Sequence, residues 1–269
     1  MKFSHRKAVM MMVLVTFLWS LAGVVTRHLE YAQKFEVTFW RSFFTVLSLL
    51  VILPMVRGAG VFGRMRHGGQ TLWLSGLCWC GMFTFFMLAL MLTSVANVLV
   101  TMSLSPLLTA LAARLFIGHR IAARTWLAIA VAGAGIAYMY AGQVIQGINI
   151  TGTLVALGIP LSGAANWTLN QHAHAHGEDV DLMPAVLIGA VFSSLLTLPL
   201  AWPFQASGHD LVLLAGLGLV QLAIPCALVV LCQKVLKAHE VALLGLLEVI
   251  FGILLAWVGA GEVPGPDVL

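Results

Sequence analysis

The sequence predicts an all-α integral membrane protein with about nine transmembrane helices. Three observations lead there. Of its 269 residues 61% are hydrophobic and only 9% charged, whereas a soluble domain has about a quarter of its residues charged. Apolar stretches of about 20 residues, the length needed to cross a bilayer, follow one another along the chain. Lys and Arg gather in alternate connections, the pattern that membrane insertion imposes. A nucleic-acid-binding surface is excluded, because the net charge of +4 comes from cations scattered through loops.

The first span is expected from Ala8 to Thr26, uncharged between Lys7 and Arg27. Lys2, Arg6 and Lys7 precede it, and Ser20-Leu21-Ala22 resembles a cleavage site. Its apolar core outruns the roughly 15 residues of a signal peptide and further spans follow, so we read it as a retained helix. Span two lies between Glu36 and Arg57 and contains Arg41. No acid, Lys or Arg occurs from Gly68 to Ala113, too long for one crossing. The polar break Thr93-Ser94 to Asn97 divides it into spans three and four. Span five follows Arg124, and the polar segment Gly142 to Thr151 separates it from span six, which reaches toward His172. Spans seven, eight and nine are placed at Leu182 to Phe204, Leu211 to Cys232 and Val241 to Ala260. Pro106, Pro160 and Pro225 fall inside spans, where neighbouring helices satisfy the freed carbonyls. Cys78, Cys80, Cys226 and Cys232 lie in apolar runs, where we read them as small hydrophobes and expect neither disulfides nor a metal.

This span order places eleven cations on one side: Lys2, Arg6, Lys7, Arg57, Arg64, Arg66, Arg114, Arg120, Arg124, Lys234 and Lys237. Only Arg27 and Lys34 fall on the other. The positive-inside rule then puts the N-terminus in the cytoplasm of a multi-pass protein of the plasma or inner membrane.

Two repeats are expected, residues 1–141 and 150–269. Sliding Ser94–Ala122 onto Lys237–Gly265, an offset of 143, pairs Val98 with Val241, Leu104 with Leu247, Leu111 with Leu254, Ala113 with Ala256 and Gly118 with Gly261. Span four would start on the outside and span nine on the inside, the inversion that transporter repeats show. The second repeat then has four spans to the first one's five. It ends in the turn-like segment Gly261 to Asp267, so the expectation is that the last helix is missing, lost or truncated.

The segments Leu18-Trp19, Phe39-Trp40-Arg41-Ser42, Gly218-Leu219-Val220-Gln221-Leu222-Ala223-Ile224-Pro225, and Leu247-Glu248 through Ala256-Trp257 to Gly261-Glu262 resemble EamA-type transporters of the drug/metabolite transporter (DMT) superfamily. The resemblance covers nearly the whole chain. It implies ten spans in two inverted five-helix halves, and a carrier of small metabolites such as amino acids, drugs or related solutes. Two positions depart from the family pattern. Val249 follows Glu248 where Leu-Glu-Pro is common, and Gly118-His119 stands where Gly-Glu commonly ends span four.

Glu248 is the one acid near the middle of a span. A carboxylate there costs roughly 2.5 to 3.5 kcal/mol to insert, which makes it a candidate for proton coupling or cation binding. Gly245 and Gly252 share its helix face, which can either pack on a neighbour or line a cavity. Arg41 can hold a substrate carboxylate bidentately, or snorkel with Glu36 as partner. Trp19 and Trp79 are mid-span, unlike Trp73, Trp126 and Trp202 at the expected interfaces, and either wall a pocket or pack in the core. Gln221, Asn166, Ser103 and Ser105 can contact a solute or link helices. Gly133, Ala137 and Ala141 form a small-residue packing stripe.

His172, His174 and His176, with Glu178, Asp179 and Asp181 after them, are weak metal candidates. His-x-His spacing fits an extended loop better than a helix face, and such a tract is more often simply solvated.

The function expected is a secondary carrier working by alternating access, with a proton as the candidate coupling ion; no Walker-type phosphate loop is present, so ATP is not expected to drive it. Its partners would be the lipid bilayer, a small-molecule substrate and a coupling proton or cation; a homodimer stays open, and no cofactor is expected. The alternatives are a non-transporting membrane partner protein and a membrane-embedded metalloenzyme using the His172/His174/His176 loop.

Overall fold

In lipid the backbone finds no water to bond, so a spanning chain must close its hydrogen bonds within helices or a barrel. The computed structural model describes residues 4–65, 68–117, 150–176 and 181–261, with residues 127, 131 and 134. Among these the secondary structure is helical throughout. The elements are α1 (His5–Thr26), α2 (Lys34–Arg57), the short α3 (Val61–Met65), α4 (Gly69–Leu92), α5 (Val95–Met102) and α6 (Ser105–Ile117). The second half contains α7 (Ile150–Ala175), α8 (Met183–Ala201), α9 (Gly208–Gly216), a π-helical turn (Leu217–Ala223), α10 (Ile224–Cys232), α11 (Ala238–Gly245) and α12 (Leu247–Ala260).

Among the described residues seven helices or continuous helix pairs are long and apolar enough to cross a membrane: α1, α2, α4, α5–α6, α8, α9–α10 and α11–α12. These correspond to expected spans one to four and seven to nine. The eighth correspondence is α7, whose 26 residues are also long enough to cross. It is more polar than the others, with Asn166, Asn170, Gln171 and two histidines in its second half. Expected span five, with its Gly133, Ala137 and Ala141 stripe, lies outside the described residues apart from three single positions, as do Trp126, Gly118-His119 and the segment from Glu262 onward.

The loops sort into two ends. At one, His5 Nε2 meets Glu240 Oε1 at 3.0 Å and Arg57 Nε meets Asp181 Oδ2 at 2.9 Å. At the other, Arg27 donates to the carbonyls of Leu90 and Thr93 at 3.1 Å each. The two buried acids at that end tie connections together. Glu36 accepts from the Gln205 and Ala206 amides at 2.9 and 2.8 Å, and Asp210 from the Glu30, Tyr31 and Ala32 amides at 2.8 to 3.0 Å. These groupings are the ones that alternate crossings of the membrane require.

The two halves pack as mirror partners. α1 lies along α10 as α4 lies along α7, and α1 on α12 matches α7 on α6, while α2 and α8 pair with each other. Shifted by the offset of 143, Val95–Met102 falls on 238–245, the bounds of α11, and the start of α6 at Ser105 falls on Glu248, one residue into α12. Each half therefore interrupts its fourth span at the same place. α5 packs on α12 and α6 on α11, so the two interrupted helices cross at their breaks.

Polar side chains join the helices where apolar packing alone has no driving force. Ser42 donates to Ser193 at 3.0 Å, Thr84 and Ser193 bond at 2.9 Å, and Asn97 donates to Thr153 at 2.7 Å. Each such bond contributes on the order of 1 kcal/mol in a membrane interior.

Candidate functional site

Three irregularities open the middle of the bundle. Pro225 has no N–H to give to the Gln221 carbonyl four residues back, and the chain there adopts the π-helical turn, with the Ile224 amide bonding Leu219 instead. The breaks at Ser103-Leu104 and at Leu246 interrupt the two fourth spans. Between them lies a cavity with about 840 Å³ of empty space, counted out to its mouth. Its walls come from α1, α2, α4, α5–α6, α7, the π turn, α10 and α11–α12, so both halves contribute.

The polar groups in this cavity are few. Arg41, on α2, is only 1% exposed. Its Nη1 donates to Gln221 Oε1 at 3.1 Å and its Nη2 to the Phe83 carbonyl at 2.9 Å. Gln221 is itself fixed, since its Nε2 donates to the Trp19 carbonyl at 3.1 Å. The guanidinium carbon also sits 6.0 Å from the Phe83 ring and 5.8 Å from the Phe86 ring, within cation–π range. One donor, the Arg41 Nε, has no partner among the described residues.

This anchor depends on a close approach between helices. A Cβ on Gly218 would sit 2.7 Å from Phe44 Cβ and 2.9 Å from both the Arg41 carbonyl and the Thr45 amide. Only glycine lets the π turn reach α2 here, and Thr45 then donates to the Gly218 carbonyl at 3.1 Å. The consequence is that Gln221 reaches Arg41.

Glu248 lies in the first turn of α12, directly after the break, and is 4% exposed. It lines the same cavity as Arg41, yet among the described residues no ion pair within 4.0 Å joins them. A solute with opposite charges can therefore meet each of them separately. The remaining wall is apolar and aromatic. Trp79 packs edge-on against Trp167 at 5.6 Å between centroids and against Phe83 at 5.5 Å. The buried Trp79 Nε1 has no acceptor among the described residues, a second unused donor at the cavity.

Of the residues singled out in the sequence, Glu248, Arg41, Trp19, Gln221 and Trp79 line this one cavity. Asn166 does not. Its Oδ1 accepts from Ser75 at 2.7 Å, so it links α7 to α4. The pairing of Arg41 with Glu36 does not occur either: Glu36 is occupied by backbone amides at the loop end, and Arg41 turns inward to Gln221. Gly245 and Gly252 divide the two expectations for their face. Gly245 lines the cavity, with nothing within 4 Å of a Cβ built on it, whereas Gly252 packs on Leu99 of α5. Ser105 lines the cavity, and Ser103 bonds its own helix through the Val100 carbonyl at 2.6 Å. Trp167, Met82 and the Phe83 carbonyl belong to the site beyond the residues the sequence singles out, and Ser105 has a signal of its own, since the repeat offset carries it onto Glu248.

The histidine tract is a helix end and not an extended loop. α7 continues through Ala175, the His172 and His176 rings lie one turn apart at 4.0 Å, and His176 Nδ1 contacts the His172 carbonyl. Among the described residues no group of three ligating side chains is assembled, and Glu178 and Asp179 lie outside them. Trp73 and Trp202 are 44% and 72% exposed, as interfacial residues are.

Comparison with known proteins adds the lineage. A crystal structure of a protein, 18% identical, superposes with a TM-score of 0.68 over 98% of this chain and 92% of that one, which shows a shared fold. No curated protein matches the sequence. The sequence profile of the EamA-like transporter family matches twice, over residues 6–141 and 150–268, and so takes in nearly every element described above. The chain belongs to the EamA-like transporter family and is a membrane transporter of the DMT superfamily.

Proposed function

We propose that this protein is a secondary carrier that moves a small metabolite across the membrane by alternating access, with Glu248 binding and releasing a proton or cation during the cycle. The observation that carries this reading is the joint placement of Arg41 and Glu248 in one largely aromatic cavity, where the interrupted helices of both halves meet. Buried opposite charges that do not pair with each other are expensive for stability alone. They make sense as a site for a solute carrying a carboxylate and an apolar body, held by the guanidinium fork and the indole walls. The two halves, 1–141 and 150–269, then rock about this site. The end bearing His5, Arg57 and Lys234 faces the cytoplasm by the excess of cations there.

The test is counterflow in proteoliposomes, offering a panel of amino acids and small metabolites to the wild type and to Glu248→Gln across pH. A solute that exchanges with a pH dependence in the wild type and none in the variant supports carrier and coupling role together. Equal pH dependence in both makes Glu248 structural, and no exchange of any solute removes the carrier reading.

A further inference from the structure

A second cavity, with about 850 Å³ of empty space counted out into open solvent, lies at the end of the bundle that holds the N-terminus. It is formed by the end of α7 and the connection from α10 to α11, and shares two walls, Trp167 and Val241, with the central cavity. Its lining contains Lys234, Lys237 and His174 and no acidic residue among those described. It also contains an incomplete amide pair. Asn170, 2% exposed, donates from Nδ2 to Gln233 Oε1 at 2.8 Å. The other two atoms, Asn170 Oδ1 and Gln233 Nε2, are buried and have no partner among the described residues.

Turning both amides over leaves the bond in place and exchanges the free atoms, so in either assignment the pair keeps one acceptor and one donor unused. An unpaired buried amide group costs about 1 to 3 kcal/mol. Such a pair is completed by a ligand that presents both an acceptor and a donor. With two lysines at the same wall the acceptor is anionic, and with Trp167 opposite the body is flat and apolar.

We propose that this cavity is a vestibule subsite for an α-hydroxy or α-amino carboxylate, which waits there before passing Trp167 into the central cavity. The proposal rests on the carrier reading for its role in transport but not for its binding. The lysines draw the carboxylate from solution, the amide pair fixes its head, and the shared Trp167 face leads inward to the free Arg41 Nε.

The test reads binding without transport. Ala175 lines the vestibule, is exposed and has no role above, so Ala175→Cys reports on it; wild-type protein corrects for the four native cysteines. The reporter is labelled in detergent with an anionic sulfonatoethyl and a cationic trimethylammonioethyl methanethiosulfonate, each scaled to its rate with a free thiol. The anionic reagent is expected to react about tenfold faster, and K234Q with K237Q to erase most of that preference. Mandelate, which has carboxylate, α-hydroxyl and ring, is expected to slow labelling about threefold or more, and mandelamide not to. Gln233→Met, similar in size, is expected to abolish the protection while the charge preference stays. Equal rates for the two reagents, or equal effects of mandelate and mandelamide, overturn the proposal. Protection without counterflow of any solute would leave the subsite standing and the carrier reading fallen; counterflow without protection does the reverse.

Discussion

At the scale of single residues, the site is built around Arg41. Two of its donors are held by Gln221 and the Phe83 carbonyl, which points the fork, and Nε has no partner among the described residues. Lysine can reach one of these acceptors but cannot present a planar fork, so Arg41→Lys is expected to keep the charge and lose the geometry. The expected result is a KM about tenfold higher for counterflow with kcat little changed; an unchanged KM would show that the guanidinium serves the fold alone. Glu248 was legible because it is the one acid far from a span end. The Arg41–Gln221 bond was not, because 180 residues separate its partners and each alone reads equally as an interhelical link. Asn166 had the same appearance in the sequence as Gln221, and nothing local separates a residue that faces Ser75 from one that faces the cavity.

At the scale of elements, helix continuity decides where polar groups can stand. The span lengths were legible from apolar runs and charge-free stretches, and the seven apolar spans fall where those runs predict. The break at Leu104 had a local signal, with Ser103 and Ser105 beside it and Pro106 after it, whereas the break at Leu246, between Gly245 and Leu247, was hidden within its apolar run. The π turn had a local signal in Pro225, but a proline bends, breaks or is absorbed according to its surroundings. The histidine tract misled in the other direction. Its alternation suggested an extended loop, whereas the intervening alanines are strong helix formers and simply prolong α7. The close contact of the π turn with α2 gives a further prediction. Gly218→Ala gains about 1 kcal/mol in helix preference and meets backbone atoms of α2, an overpacking that costs about 1 to 3 kcal/mol. Thermal unfolding in detergent is expected to shift downward, with weaker counterflow; a rise in melting temperature would mean that α2 moves freely away.

At the scale of the whole molecule, the offset of 143 found in the sequence reappears as two matching helix interruptions, and the pairing of α1 with α10 and α12 repeats that of α7 with α4 and α6. Inversion places the two breaks face to face, and the cavity is the space they leave. On the proposed carrier reading, the central cavity, not a surface or a loop, is the place where a solute meets both halves. A variant that fills the cavity without disturbing its walls isolates this claim. Gly245 offers it, because nothing lies within 4 Å of a Cβ built there and a larger side chain grows into empty space on the face of Glu248. The most direct measurement is therefore counterflow by Gly245→Leu beside its melting temperature in the same detergent. The account predicts an unchanged or slightly higher melting temperature with exchange lost; exchange at the wild-type rate in a folded variant would place the transport path elsewhere.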